Sequence, residues 1–427
     1  MPSMRGLMFR FPLYACYLCL LGTSVFSSVQ AADPPRPPSL KTIAVPEPSN
    51  LGEFVKDKQQ AIALGKALFW EMRVGSDGVT ACASCHFNAG ADSRSMNQVN
   101  PDTLRVHGDG SPHPDLAFDF GPNRQLTAAD FPFRELSDVL DRNSTPLFDS
   151  NDIVSSQGVF AADFISSEAG EAKDKTIFKI DDNGFLLGSK NVRRVARRNA
   201  PSVINAVFNF RNFIDGRAQN DFNGVNNWGR RDPDAKVFKA LTPSQIQPIQ
   251  ISLNNSSLAS QAVAAPLSNF EMSASGRLFP DIGRKLLGMS PLALQQVHKT
   301  DSVLGAVSRY PLKGLTIRSY ADMVKMAFNP VWWDSGKKIR STNNASPSVV
   351  RSEGKHNNDF SLMEYNFSLF FGLAVQLYEA TLVANDTPYD RFMMGAALLS
   401  TKPPSVVLTC SVANLVAAAS TAMRARN

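Results

Sequence analysis

The sequence predicts a mainly α fold with long loop insertions, on three observations. Lys58 to Phe69 brings Ala61, Leu64 or Gly65, and Leu68 onto one face at helical spacing, and Leu362 to Val383 carries a longer stripe through Leu369, Leu373, Leu377 and Tyr378. Between them, residues 93 to 190 are rich in Asp, Ser, Asn, Pro and Gly and sustain no period, which reads as an insertion of loops with short helices. Third, Cys82-Ala83-Ser84-Cys85-His86 places two thiols and an imidazole within one helical turn.

In chain order, Arg5 and Arg10 precede an apolar stretch from Phe11 to Phe26 and a small-residue context at Val29-Gln30-Ala31. That is the pattern of a secretory signal peptide over 1 to 31, and it predicts export, with a periplasm as the address. A Pro-rich leader follows over 32 to 56, where Pro34, Pro35, Pro37, Pro38, Pro46 and Pro48 prevent a regular helix. The formal charge of +6 lies mostly at the two ends, with Arg5 and Arg10 in the signal and Lys402, Arg424 and Arg426 after residue 396. The body is therefore near neutral, which makes no case for nucleic acid or a membrane surface as partner. No apolar run reaches the roughly 18 residues that a membrane-spanning helix needs.

The C-x-x-C-H spacing is that of covalent haem attachment: Cys82 and Cys85 would form thioethers and His86 would take the iron. Zinc could use the same three residues, but a closed tetrahedral site needs a fourth ligand, and the other cysteine of the mature chain, Cys410, stands alone in a tail. A thioredoxin-like redox pair belongs beside a βαβ pattern, which is missing here.

Leu64-Gly-Lys-Ala-Leu-Phe-Trp70, Arg73, Gly78 and Thr80 to Asp92 bring the chain to a family, since this stretch resembles the bacterial di-haem cytochrome c peroxidases, including the related haem protein that matures tryptophan tryptophylquinone. The resemblance implies a periplasmic, cytochrome-c-like helical domain around a covalently bound haem c, here spanning 57 to 395. Arg198-Asn-Ala-Pro-Ser-Val and Phe213-Ile-Asp-Gly-Arg-Ala218 look like the next family block, and it implies that Asn199 is a Ca²⁺ ligand, although Asn before Ala-Pro is equally a turn residue. Two departures stand out: Ile214 replaces the family's relay Trp, and no His precedes Asn199 where a removable ligand is usual.

Gln261-Ala-Val-Ala-Ala-Pro266 and Leu267-Ser-Asn-Phe-Glu271-Met272 resemble the family's distal pocket. There the resemblance gives Gln261, Pro266 and Glu271 catalytic roles, with Glu271 as the acid and base that moves a proton between the two oxygens of a peroxide. Met272 reads as packing. His107, His113 and His298 read as residues of solvated loops.

Thr387-Pro-Tyr-Asp-Arg-Phe392 resembles the family's approach to its second domain, yet from 396 to 427 the sequence loses every acid and aromatic and no second C-x-x-C-H appears. This predicts one haem per chain and an atypical tail in place of a second haem domain, as a shifted reading frame or a diverged end would produce. The function implied is reduction of hydrogen peroxide with electrons from a small donor protein of cytochrome c or cupredoxin type, with a homodimer among the allowed assemblies. The alternatives are an electron-transfer cytochrome c, haem-dependent oxidation of a protein substrate, and an inactive truncated product.

Overall fold

The computed structural model describes residues 36–395 apart from 89, 103, 107–111, 344 and 351–355. It divides the chain into an N-terminal unit, 1–38, and a body from Ser39 on. The signal segment, His107, Cys410 and the tail at 396–427 lie outside the described residues. The body starts within the Pro-rich leader, which is not merely extended: Leu51, Phe54 and Val55 are buried, and Phe54 stacks on Trp332 with ring centroids 4.8 Å apart.

Eight α-helices occur among the described residues: α1 Lys58–Trp70, α2 Ala83–His86, α3 Ser257–Ala262, α4 Phe279–Leu286, α5 Tyr320–Ala327, α6 Leu362–Tyr365, α7 Phe367–Glu379 and α8 Pro388–Met393. Asp57 caps α1 by accepting from the Gln60 N–H at 3.0 Å. The helix crosses α7 at Gly65, where a Cβ would overlap the carbonyl of Ala374, so only glycine allows this approach. Every residue of α7 is buried, which makes it the centre of the main core, with α1, α3 and α4 packed around it. No helix of the described residues is long and apolar enough to cross a membrane.

The single long helix expected over 362–383 is broken. Asn366 is fully buried, and its side chain donates to the carbonyls of Phe238 (2.7 Å) and Trp332 (2.8 Å) and accepts from the Phe238 N–H (3.1 Å). An amide that serves a neighbouring strand in this way separates α6 from α7, and α7 ends at Glu379.

The fold is also not mainly α: the eight helices of the described residues share the body with strands spread over several small sheets. The expected loops with short helices at 93–190 are antiparallel β-hairpins and bridges instead. Arg134–Leu136 pairs with Pro146–Asp149, and Ala162–Ser166 pairs with Lys175–Phe178. The second pair sets Phe164 opposite Thr176 and Ala162 opposite Phe178, aromatic and β-branched residues that suit a pleated ribbon. Further ladders form at Val237–Thr242 with Gln245–Ile249, and at Lys338–Thr342 with Ala345–Val349 and Asp359–Ser361. Each strand has at most six residues, too few for its alternation to stand out against the irregular sequence around it.

At the far end of the body, Thr387 and Asp390 form the capping box of α8, and Asp390 also accepts from Ser39 Oγ (2.9 Å) and the Leu40 N–H (2.8 Å).

Candidate haem site

The attachment turn hangs between α1 and a tight loop. Past the end of α1, the buried Glu71 carboxylate binds Arg73 in a fork (2.7 and 2.6 Å) and accepts from Tyr320 Oη (2.8 Å) and the Leu292 N–H (3.0 Å). An ion pair this enclosed is stable only because its remaining lone pairs are also satisfied. In the loop, Asp77 accepts from the N–H groups of Val79 and Thr80, from Thr80 Oγ1 and from Arg193 Nη1 (2.8 Å). Burial opposes the charge on Asp77, but Arg193 and the other donors outweigh it and hold the carboxyl below its usual range.

On α2, Cys82 and Cys85 are free thiols. Burial raises both, Cys85 to about 11, with the Glu271 charge acting in the same sense on each. They are thus the reverse of a low-pKa redox pair. His86 Nδ1 lies 3.0 Å from the Gly90 carbonyl, a partner that can only accept, and the ring also meets the Pro201 carbonyl. Burial lowers the imidazole against the carbonyls of Gly90 and Pro201, which favours the neutral ring that a metal needs. Phe69 of α1 packs beside His86 at 6.3 Å and meets Tyr378 of α7 edge-on at 5.4 Å. Two neighbouring thiols and an adjacent imidazole held towards its neutral form fit covalent haem. Among the described residues no group of three or more His, Cys, Asp or Glu side chains is placed to hold a metal ion.

Glu271 sits on the loop Ser268–Ser275, near enough to the turn for its charge to weigh on both thiols. Burial raises its carboxyl above the ordinary range, and Ser268 and Arg217 only partly offset this. Arg217 comes from the Asp-Gly-Arg block, where it lies over the Phe213 ring at 3.9 Å and pairs with Asp215 at 2.8 Å. Pro266 is buried and gives its carbonyl to Arg277, whereas Gln261 stands near the end of α3, partly buried. Met272 is a core residue, 3% exposed.

Other residues fall elsewhere. Asn199 is exposed and donates Nδ2 to the Val154 carbonyl (3.0 Å), an arrangement that suits a turn residue. Ile214 is 65% exposed on its turn. His298 is held by Thr300 Oγ1 (2.7 Å) on an exposed turn, and His113 lies in the short strand Pro112–Pro114.

Three groups have no counterpart in the sequence reading. Arg277, Asp174 and Lys285 form a cluster with fully buried side chains, with Arg277 and Lys285 2.7 and 2.9 Å from Asp174. Arg277 also donates to the carbonyls of Val74 (3.0 Å), Pro266 (2.6 Å) and Met272 (3.3 Å), joining the loop before the attachment turn to residues on either side of Glu271. Arg193 and Arg194 belong to a basic run in which only a missing His was noticed. The third is Glu379, the last residue of α7 and an acid in an otherwise apolar stripe, a signal that the sequence did carry.

Burial pushes Glu379 up to about 8 from 4.5. The folded chain therefore keeps a proton that the unfolded chain has lost between those values, so this stabilising contribution is full below about 4.5 and lost as pH rises through about 8. Glu379→Gln should be more stable than the parent at pH 9, by about 2 kcal/mol, with the gap shrinking towards pH 5. Urea midpoints at both pH values test this, and a gap independent of pH would refute it.

A family described as di-haem cytochrome c peroxidase matches residues 59–133 and 172–397. No curated protein and no solved structure matches the chain. The two matched stretches contain the attachment turn, Asn199, the Asp-Gly-Arg block and the Glu271 loop, and they leave out the hairpin Arg134–Leu136 with Pro146–Asp149 and the segment that leads to Ser166. The chain belongs to the di-haem cytochrome c peroxidase family, whose members carry c-type haem and act as peroxidases or related oxidoreductases.

Proposed function

We propose that the protein is a periplasmic peroxidase that reduces hydrogen peroxide to two molecules of water, taking two electrons from a small redox protein and two protons from solvent. The observation that carries this reading is a protonatable carboxyl, Glu271, whose charge weighs on both thiols of the attachment turn and which is held on either side by the Arg277 bonds to Pro266 and Met272. The bound haem supplies the redox-active iron. Cys82 and Cys85 would anchor it covalently and His86 would hold its iron, with the ring steadied by the Gly90 carbonyl. Glu271 takes the proton from the inner peroxide oxygen and returns it to the leaving oxygen, and its raised pKa keeps both protonation states within reach. Pro266, buried and tied to Arg277, and Gln261, at the end of α3, would line the peroxide side of the bound group. The single C-x-x-C-H of the sequence gives one haem per chain.

The test is direct. The purified chain should stain for haem on a denaturing gel, its ferric spectrum should change on adding peroxide, and it should consume peroxide with a reduced small cytochrome or cupredoxin. Cys82→Ala with Cys85→Ala should abolish the stain. Retention of the stain by that variant, or a low-spin ferric spectrum indifferent to peroxide, would overturn the reading.

A further inference from the structure

The loop that carries Glu271 is gripped by a segment outside both family-matched stretches. Gly158 lies so close to it that a Cβ there would stand 2.5 Å from the Glu271 carbonyl oxygen and 2.7 Å from its Cα, and would overlap the Phe270 carbonyl. Contacts with backbone at such distances admit no side chain without moving the loop. Gly158 is fixed in turn: its N–H donates to the Arg194 carbonyl (2.7 Å), and its own carbonyl accepts from Arg193 Nη1 (2.8 Å), the atom that also holds Asp77. Arg194 reaches back to the loop through Nη1 to the Asn269 carbonyl (3.3 Å) and lies over the Phe270 ring at 5.1 Å, with Arg197 over the same ring at 4.4 Å. Further along, the Phe164 N–H donates to Ser275 and the Ser275 N–H to Ala162, each at 2.9 Å.

We infer that Gly158 is a positioning residue for Glu271: the absence of a side chain lets the segment from Gln157 to Ser166 lie on the Phe270–Glu271 peptide, and that contact, locked by Arg193, sets how far the carboxyl reaches towards the attachment turn. The inference rests on the proposed role of Glu271. Packing of this kind acts on rate through placement, since a shift of about 1 Å at a reacting group can cost about a hundredfold.

Gly158→Ala should keep its haem content, slow the reaction with peroxide by about ten- to a hundredfold, and move the acid limb of the rate–pH profile about one unit lower, because a displaced carboxyl gains water. Ile339→Ala, in the separate core cluster with Phe238 and Leu362, should lower thermal stability and leave that limb in place. Arg193→Met should shift rate and limb in the same direction as Gly158→Ala but less, and Arg193→Lys should recover part of the loss; this pair carries the test if Gly158→Ala does not fold. A folded Gly158→Ala with parental rate and limb would overturn the inference, as would an Arg193→Met indistinguishable from the parent. If Glu271→Gln slows the reaction while these variants do not, positioning fails alone; if Glu271→Gln changes nothing, the proposed function fails with it.

Discussion

Glutamine at position 271 is expected to slow the cleavage of peroxide by about 10² to 10⁴, the usual share of general acid–base catalysis, with haem content unchanged. Glutamine keeps the size of the side chain and its polarity towards Ser268, so the loop held by Arg277 and Gly158 has no reason to move. What is lost is a group that can accept a proton and return it. The ferric spectrum before peroxide is added should match that of the parent, and single-turnover mixing should show the loss only after peroxide arrives. Parental reactivity in this variant would make Glu271 an ordinary partly enclosed acid.

Alanine at Asp174 is expected to cost about 3 to 5 kcal/mol of stability, the penalty for stranding buried charge. Asp174, Arg277 and Lys285 have fully buried side chains, and Ser167 Oγ completes the carboxylate's partners at 2.8 Å. Without the carboxylate, Lys285 keeps only the Gly75 carbonyl (3.0 Å) and Arg277 only backbone oxygens. Burial already lowers Lys285 to about 8 from 10.5, so folding is handicapped while the unfolded chain holds that proton more tightly, and stability rises as pH climbs from about 8 to 10.5. Removing Asp174 should depress Lys285 further, so the loss should be largest below pH 8 and smaller at pH 9.5. Urea unfolding at pH 7 and pH 9.5 measures both, and a loss under about 1 kcal/mol at pH 7 would remove the cluster's structural importance.

The parts of this site that the sequence made legible are those in which chemistry is written locally. Cys82, Cys85 and His86 announce themselves by spacing, and the helix at Lys58 to Phe69 by its apolar face, on which the structure sets Gly65 against Ala374 of α7. The mainly α expectation failed because strands of two to six residues leave too short a trace, and because Asn366 breaks an apolar stripe through bonds to residues far away in sequence. The buried charges were illegible for the same reason. Nothing near Asp174 in the chain foretells that its partners lie at 277 and 285, and nothing near Gly158 foretells a peptide at 270 and 271 pressed against it. Long-range contacts decide such residues, and a single sequence carries no record of them.

The tie between Asp390 and Ser39 turns the body into a topological ring. Its two ends are joined by hydrogen bonds across 351 positions of sequence, so a few added residues could link Gly395 to Ser39 covalently without crossing the core. The natural place to reopen such a ring is the hairpin tip at Val139 and Leu140, which are 82% and 93% exposed and lie outside the family-matched stretches. A permuted chain of this design would enter the fold through the hairpin and reach the attachment turn only after α3 to α8. Cys82 and Cys85 would then emerge after α3, α4 and α7 instead of before them, while every contact around them stays the same.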